Sequence, residues 1–274
     1  MNDGNNRVLV LADDFTGAND AGVSLAEAGM SVEVAFTAGQ PSTARALILN
    51  SDSRAMTAAA AADKVAALLR GAATFVSHWQ VKKIDSTLRG NPGGELEAMM
   101  AAQGCRMAVV APAYPAAGRH TRDGRCYVHG VPLDQTEFAS DPKTPVSRAE
   151  ISEIIAMQSR LPCLTLNAGQ LPAALATAGE EKRVLIVDAW EDSHLDQVID
   201  AVAPHARETL LVGSAGLCEA LARRLRRSEQ GPLLTAVEKL ANIEIPRLEY
   251  PDFEPSPPRE GRDGDVSREG VQRD

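Results

Sequence analysis

Aromatic side chains are scarce in this chain, at 4% of 274 residues. Its core must therefore be built mainly from Ala, Leu and Val, within a hydrophobic fraction of 44% that is ample for a sizeable core. Cysteine is also sparse. Cys105, Cys126, Cys163 and Cys218 lie far apart, with no CxxC or comparable spacing, which argues against a zinc site and a disulfide framework. Spread thiols in an acidic chain fit a reducing cytoplasm, the expected location. No stretch approaches the roughly 18 apolar residues of a membrane-spanning helix, and Met1–Ala12 has no signal-peptide form. Basic charge is in deficit: 28 Lys and Arg face 37 Asp and Glu, for a net charge of −9. A general nucleic-acid binder needs a basic face, so neither nucleic acid nor membrane is an expected partner. An anionic ligand would have to be held by local cations and backbone N–H groups against the overall field.

What is present is a repeated order of apolar run, polar loop and helical pattern. Strands are expected at Val8–Ala12, Ser31–Phe36, Ala46–Leu49, Phe75–Lys83, Met107–Ala111, Val184–Asp188 and Leu210–Val212. Helices are expected at Ala18–Gly29, Thr57–Arg70, Gly94–Gln103, Glu150–Ser159, Leu195–Ala203 and Leu217–Arg226. Alternation of this kind points to an α/β fold with a mainly parallel sheet flanked by helices. Pro112–Pro145 reads as one long irregular loop of functional or mobile character. Residues 1–245 are expected to form the domain. From Pro251 onward the chain is dense in Pro, Gly and charge, so residues 246–274 are expected to be a disordered tail.

In such sheets ligands sit beyond the carboxyl ends of the strands. Four polar segments fall there. Asp13-Asp14-Phe15-Thr16-Gly17 opens the first helix, where one Asp is needed as a cap and the second is left for other work. Arg54 closes the cluster Asn50–Arg54 where a carboxylate could be gripped through two N–H groups, but by itself it reads as a solvated surface arginine. Lys82–Asn91 gathers three cations, a carboxylate, two hydroxyls and an amide, poor material for a core and suited to a small hydroxylated acid. Adjacent strand residues face opposite ways, so one of Lys82 and Lys83 enters the site and the other is expected in solvent. Asp85 is expected to orient the inward lysine or bind ligand hydroxyls, with Ser86 as a further donor. Gly213-Ser214-Ala215-Gly216 is a turn between strand and helix that can offer N–H groups to a phosphate, although no Walker lysine accompanies it. His120, with Arg119 and Arg122, lies in the long loop as a lid contact at most. The basic run Arg223–Arg227 reads as a solvated helix face.

Taken together and in order, ADDFTGAND at Ala12–Asp20, KKIDSTLRGN at Lys82–Asn91, the run Ala111–Val146 and GSAGL at Gly213–Leu217 resemble the four-carbon acid sugar kinase family. KKIDSTLRGN is closer to its threonate and erythronate branch than to the oxo-tetronate branch. The resemblance implies an N-terminal domain that binds the sugar acid and a second domain that binds ATP. It implies transfer of the γ-phosphate, with Mg²⁺ shielding its charge, to the terminal hydroxyl of D-threonate or D-erythronate. By the same resemblance Asp13, Arg54, Lys83, Asp85 and Ser86 would contact substrate, Ser214 would contact nucleotide, and Asp14 is assigned the catalytic part. Which of the two Asp residues takes the hydroxyl proton does not follow from the sequence.

Members of that family are longer, with further Gly-rich units after GSAGL. The expectation here is a chain cut short or shifted in frame, inactive by itself, with most of its nucleotide site missing. A homodimer is carried as an expected assembly. Two rival readings use the same residues: a sugar-acid-binding protein without catalysis, and a Mg²⁺-dependent phosphatase built on Asp13 and Asp14. A haloacid-dehalogenase arrangement wants carboxylates two positions apart, where this chain has Phe15.

Overall fold

The computed structural model describes residues 6–227 apart from positions 38, 40, 178 and 180. The expected boundary at residue 245 and the tail 246–274 lie outside the described residues.

The chain begins with β1 (Val8–Ala12), five apolar residues buried along their whole length, as a central strand covered on both faces requires. Helix α1 (Phe15–Glu27) follows at once, because Asp14 in extended backbone accepts a hydrogen bond from Gly17 N at 2.9 Å and caps it. Strands β2 (Val32–Ala35) and β3 (Ala46–Asn50) come next, then α2 (Ala58–Gly71), capped by Thr57. β4 (Trp79–Lys83) leads into α3 (Pro92–Gln103), which starts on a proline and stops at Gly104, φ 71°. β5 is Met107–Ala111.

The stretch expected to be one irregular loop holds a small antiparallel sheet instead: β6 (Arg119–Arg122), β7 (Arg125–Val128) and β8 (Val131–Pro132). Its first turn is Asp123-Gly124, with φ of 52° and 73°, the left-handed pair that suits a tight hairpin. His120 is thus a strand residue, paired with Tyr127. The chain continues through α4 (Ile151–Ala156), β9 (Cys163–Asn167), α5 (Leu171–Ala176), β10 (Arg183–Asp188), α6 (Asp192–Val202) and β11 (Thr209–Gly213). A last helix, α7, covers residues 215–227. Its arginines are less solvated than expected: Arg223 and Arg224 pair with Asp196 and Asp200 of α6.

The eight strands of the main sheet run in the order β2-β3-β1-β4-β11-β5-β10-β9, and every pairing is parallel. Strand alternation divides the core in two. Val8, Val10 and Ala12 face α1, α5, α6 and α7, whereas Leu9 and Leu11 face α2, α3 and α4. The chain lays β2 and β3 on one side of β1 and then crosses to lay β4 on the other. This reversal leaves a crevice at the carboxyl ends of β3, β1 and β4, where an open α/β sheet binds its ligands. Among the described residues no helix is long and apolar enough to cross a membrane.

Candidate functional site

Asp13 follows the last residue of β1 and is almost fully buried. Its backbone carbonyl accepts from Ser53 N at 2.9 Å and Arg54 N at 3.3 Å, which draws the loop after β3 across the end of β1. Its carboxylate takes two hydrogen bonds from Arg54, at 2.7 Å to Nε and 3.1 Å to Nη2. Arg54 Nη1 reaches Asp14 Oδ2 at 2.8 Å. One guanidinium therefore holds both carboxylates, and three of its five N–H donors are used. Burial opposes the Arg54 charge, but the hydrogen bonds and charge of Asp13, with the charges of Asp85 and Asp14, raise its pKa. Asp14 is the more open of the two acids, at 24% exposure of its side chain.

Lys83 ends β4 on the α1 face, as alternation requires, and is buried. Its Nζ donates to Ile84 O at 3.1 Å, leaving two N–H donors. It converges with Asp14 on one spot. The point where a Cβ on Gly17 would stand lies 2.7 Å from Asp14 Oδ1 and 2.8 Å from Lys83 Nζ. Gly17, with no Cβ, lets the helix start pass close to both charges.

Lys82 corrects the sequence reading. It does face away from Lys83, but it is not solvated: its side chain is 0% exposed and its Nζ lies 2.7 Å from Glu95 Oε2 of α3. The opposite face of a central strand in a doubly covered sheet is another core, not solvent. The segment is also better core material than its composition suggests, since Ile84, Thr87 and Leu88 are buried as well. Leu88 plunges into the core with φ 58°, and Leu88 N donates to Asp85 O at 3.0 Å, so an apolar side chain pins the middle of the loop.

Asp85 does not turn to Lys83. Its carboxylate is held by Arg89 at 2.8 and 3.1 Å and by the Thr87 hydroxyl. Burial pushes the Asp85 carboxyl up, but the hydrogen bonds from Arg89 and Thr87 outweigh it and hold it at about 2. Asp85 thus shapes the loop. Ser86, half-buried beside it, is fixed through its carbonyl, which accepts from Cys126 Sγ at 3.7 Å. Gly90, with φ 95°, brings the loop against the ion pair: a Cβ there would lie 3.2 Å from Arg54 Cγ and 3.4 Å from Asp13 Oδ2. Asn91 Nδ2 then donates to the carbonyls of Ser53 and Met56, at 3.1 and 3.0 Å. A cavity of about 240 Å³ opens beside this loop, lined among others by Arg54, Gly90, Asn91, Lys143, Arg148 and Gln158.

The glycine turn at the end of β11 is built differently. Ser214 is buried, its hydroxyl donating to Ala113 O at 2.9 Å. A Cβ on Gly213 would stand 2.6 Å from Ala111 O, and one on Gly216 2.9 Å from Ala113 O. These glycines let α7 pack on the chain after β5. The Ser214 hydroxyl is committed inward. No group of three or more His, Cys, Asp or Glu among the described residues is arranged to hold a metal ion, and Asp13 and Asp14 are both paired with Arg54.

Of the residues singled out in the sequence, the structure brings Asp13, Asp14, Arg54 and Lys83 together. The sequence reading missed Glu95, Ser51 and Ser53, which lie beneath them. Ser51 and Ser53 sat in a noted polar cluster, but Glu95 follows two glycines in a helix and carries no local signal.

Comparison with known proteins accords with this geometry. Residues 8–221 match the model of a family described as a sugar-binding N-terminal domain. A D-threonate kinase of Salmonella typhimurium is 46% identical over 224 residues, covering 78% of this chain and 53% of that protein. A D-erythronate kinase of Heliobacterium modesticaldum is 34% identical, covering 78% and 52%. A 3-oxo-tetronate kinase of Methylobacterium radiotolerans is 32% identical, covering 81% and 55%. The chain thus spans about half the length of the curated relatives it matches. In structure it is similar to a domain of unknown function from Bordetella bronchiseptica, solved as a domain-swapped dimer with bound citrate. The TM-score is 0.71 at 31% identity, over 80% of this chain and 57% of that one. The acidic pair bridged by Arg54, the lysine beside it and the match over most of the chain together make this chain a member of the four-carbon acid sugar kinase family, corresponding to its sugar-binding N-terminal domain.

Proposed function

We propose that this chain is the sugar-acid-binding part of an ATP-dependent kinase that phosphorylates the terminal hydroxyl of D-threonate or D-erythronate. The observation that carries the reading is the convergence of Lys83 Nζ and Asp14 Oδ1 on the space beside Gly17, next to the Arg54 bridge. A short polyhydroxy acid needs a cation for its carboxylate and acceptors for its hydroxyls within one small crevice. Lys83 keeps two donors for the carboxylate. Arg54 keeps one N–H on each terminal nitrogen for a neighbouring oxygen. Asp14 orients the terminal hydroxyl and accepts its proton as the oxygen attacks phosphorus. Asp13 and Asp85 work at one remove, Asp13 by fixing Arg54 and Asp85 by fixing the loop that carries Ser86 and Gly90.

ATP supplies the phosphoryl group, and Mg²⁺ neutralises its charge when bound. The names of the relatives support the choice of a sugar acid and of ATP. Ser214 is the residue of this chain assigned to the nucleotide side, through its backbone, because its hydroxyl is spent on Ala113. A homodimer belongs to the same reading, after the domain-swapped Bordetella relative.

The test is calorimetric titration of the chain with D-threonate, D-erythronate and their 3-oxo counterpart, followed by a coupled ATPase assay with each. Saturable binding of a four-carbon acid, abolished in Lys83→Met, is the expected result. Lack of binding to every four-carbon acid would overturn the reading. Binding without ATP turnover would confine this chain to the binding step.

A further inference from the structure

Beneath the crevice, on the opposite face of the sheet, lies a closed polar chain that the proposed chemistry does not use. Lys82 is wholly enclosed, and its three N–H donors meet three acceptors: Glu95 Oε2 at 2.7 Å, Lys83 O at 3.0 Å and Leu11 O at 3.4 Å. The other Glu95 oxygen accepts from Ser53 Oγ at 2.6 Å. Ser53 Oγ in turn lies 2.7 Å from Ser51 Oγ. With the Ser53 proton committed to the carboxylate, the single Ser51 proton is shared between Ser53 Oγ and Ala12 O, which lies 2.8 Å from Ser51 Oγ, and Ser51 N holds the same carbonyl at 2.9 Å.

We propose that Lys82 and Glu95 are positioning residues for the sugar-acid site: through Ser53 they set the spacing of the β3, β1 and β4 carboxyl ends, and so hold Arg54 on Asp13. The route is short. Ser53 N donates to Asp13 O at 2.9 Å, and Arg54 is the next residue. Lys82 binds the carbonyls just before Ala12 and Ile84, one on each of the two strands that deliver Asp13 and Lys83. Stability alone is a poor reason for this arrangement, because an enclosed ion pair is replaceable by apolar groups of similar volume at little or no loss. What an apolar pair cannot do is tie three groups, the carbonyls of Leu11 and Lys83 and the Ser53 hydroxyl, from three strand ends to one point in a single geometry. The inference rests on the reading above for the identity of the ligand, but not for the internal geometry.

Two variants cut the chain at different places: the double replacement Lys82→Met with Glu95→Leu, and Ser53→Ala, which keeps the ion pair and severs its link to β3. Three quantities are measured on the whole chain: the denaturation midpoint, the exchange of the Arg54 Nε–H proton by NMR (assigned with Arg54→Lys), and the Kd for D-threonate. The double variant is expected to keep or raise the midpoint while Arg54 Nε–H exchange speeds up about 10-fold or more and Kd rises about 10-fold. Ser53→Ala is expected to move both in the same direction by about 3-fold or more. Arg54 exchange unchanged within about 2-fold in the variants that fold would overturn the proposal. If the double variant does not fold, Ser53→Ala decides alone. If the wild-type chain binds no sugar acid, the functional reading falls and the exchange measurement still decides this one.

Discussion

Arg54 reaches back across 41 positions of sequence to hold Asp13 through two parallel N–H···O contacts, at 2.7 and 3.1 Å. The pair closes the gap between the carboxyl ends of β3 and β1, and a third contact to Asp14 extends it to the cap of α1. The same guanidinium thus joins the sheet to the helix start and forms one wall of the crevice.

Removing it strands a carboxylate that is almost fully enclosed. Arg54→Met is expected to destabilise the fold by about 3 kcal/mol, the cost of leaving a buried charge unpaired. Urea unfolding at pH 7 measures this. The companion variant Arg54→Met with Asp13→Leu should recover most of the loss while binding no sugar acid. Failure to recover stability would mean that the pair matters through packing and not charge.

Gly90 and Gly17 separate strain from crowding. Gly90→Ala puts a side chain at φ 95° and 3.2 Å from Arg54 Cγ, so a loss of about 1–3 kcal/mol is expected. Gly17 sits in helix α1, where Ala is better by about 1 kcal/mol in propensity. Its new methyl would press on Asp14 Oδ1 and Lys83 Nζ, both mobile side-chain ends. Gly17→Ala is therefore expected to leave the midpoint nearly unchanged and to weaken sugar-acid binding. Thermal melts and calorimetry of the two variants side by side distinguish the outcomes.

Acid should weaken the fold through Asp85. Its folded pKa of about 2 lies below the ordinary 3.8, so its pairing contributes in full above that value and is lost as pH falls through about 2. The contribution is on the order of 2 kcal/mol, since each pKa unit is worth about 1.4 kcal/mol. Unfolding free energies between pH 5 and pH 2 should fall for the wild type and fall less steeply for Asp85→Asn. Parallel curves would show that Arg89 and Thr87 do not hold the carboxylate in solution.

The thiols should be quiet. Burial raises the pKa of Cys105 and of Cys126 to about 12 and of Cys218 to about 11, so almost no thiolate forms near neutrality. Cys163, on the edge strand β9, is only partly buried. A disulfide reagent at pH 7.5 is expected to modify Cys163 first in the native chain and the other three only on unfolding. Early labelling of Cys126 would indicate that the loop bearing Asp85 and Ser86 opens.

Central strands were legible because their sequence is local evidence of their burial. Val8–Ala12 and Met107–Ala111 are uninterrupted apolar runs, and both appear with those bounds. The edge strand β9 and the hairpin strands were not, although the other edge strand, β2, was expected at Ser31–Phe36. Cys163–Asn167 alternates apolar and polar residues behind a proline, and β6 to β8 are two to four residues long among turn residues, so neither outweighs its loop-like composition. The Asp123-Gly124 dipeptide was the one available hairpin signal.

The sequence by itself determined the alternating strand–helix order, and with it the rule that Asp13, Arg54, Lys83 and Asp85 share one edge of a parallel sheet. Period-two alternation also determined that Lys82 and Lys83 part company. Only the tertiary structure decided what each then meets. Lys82 enters a second core because helices cover both faces, and it is matched there by Glu95, thirteen residues on and in another element. Arg54 spends most of its donors on Asp13 and Asp14, and Asp85 turns to Arg89, because a charge near the interior takes the partner that most reduces its desolvation. Composition shows which charges are available; the packing distance between elements determines which of them pair and which are left for a ligand.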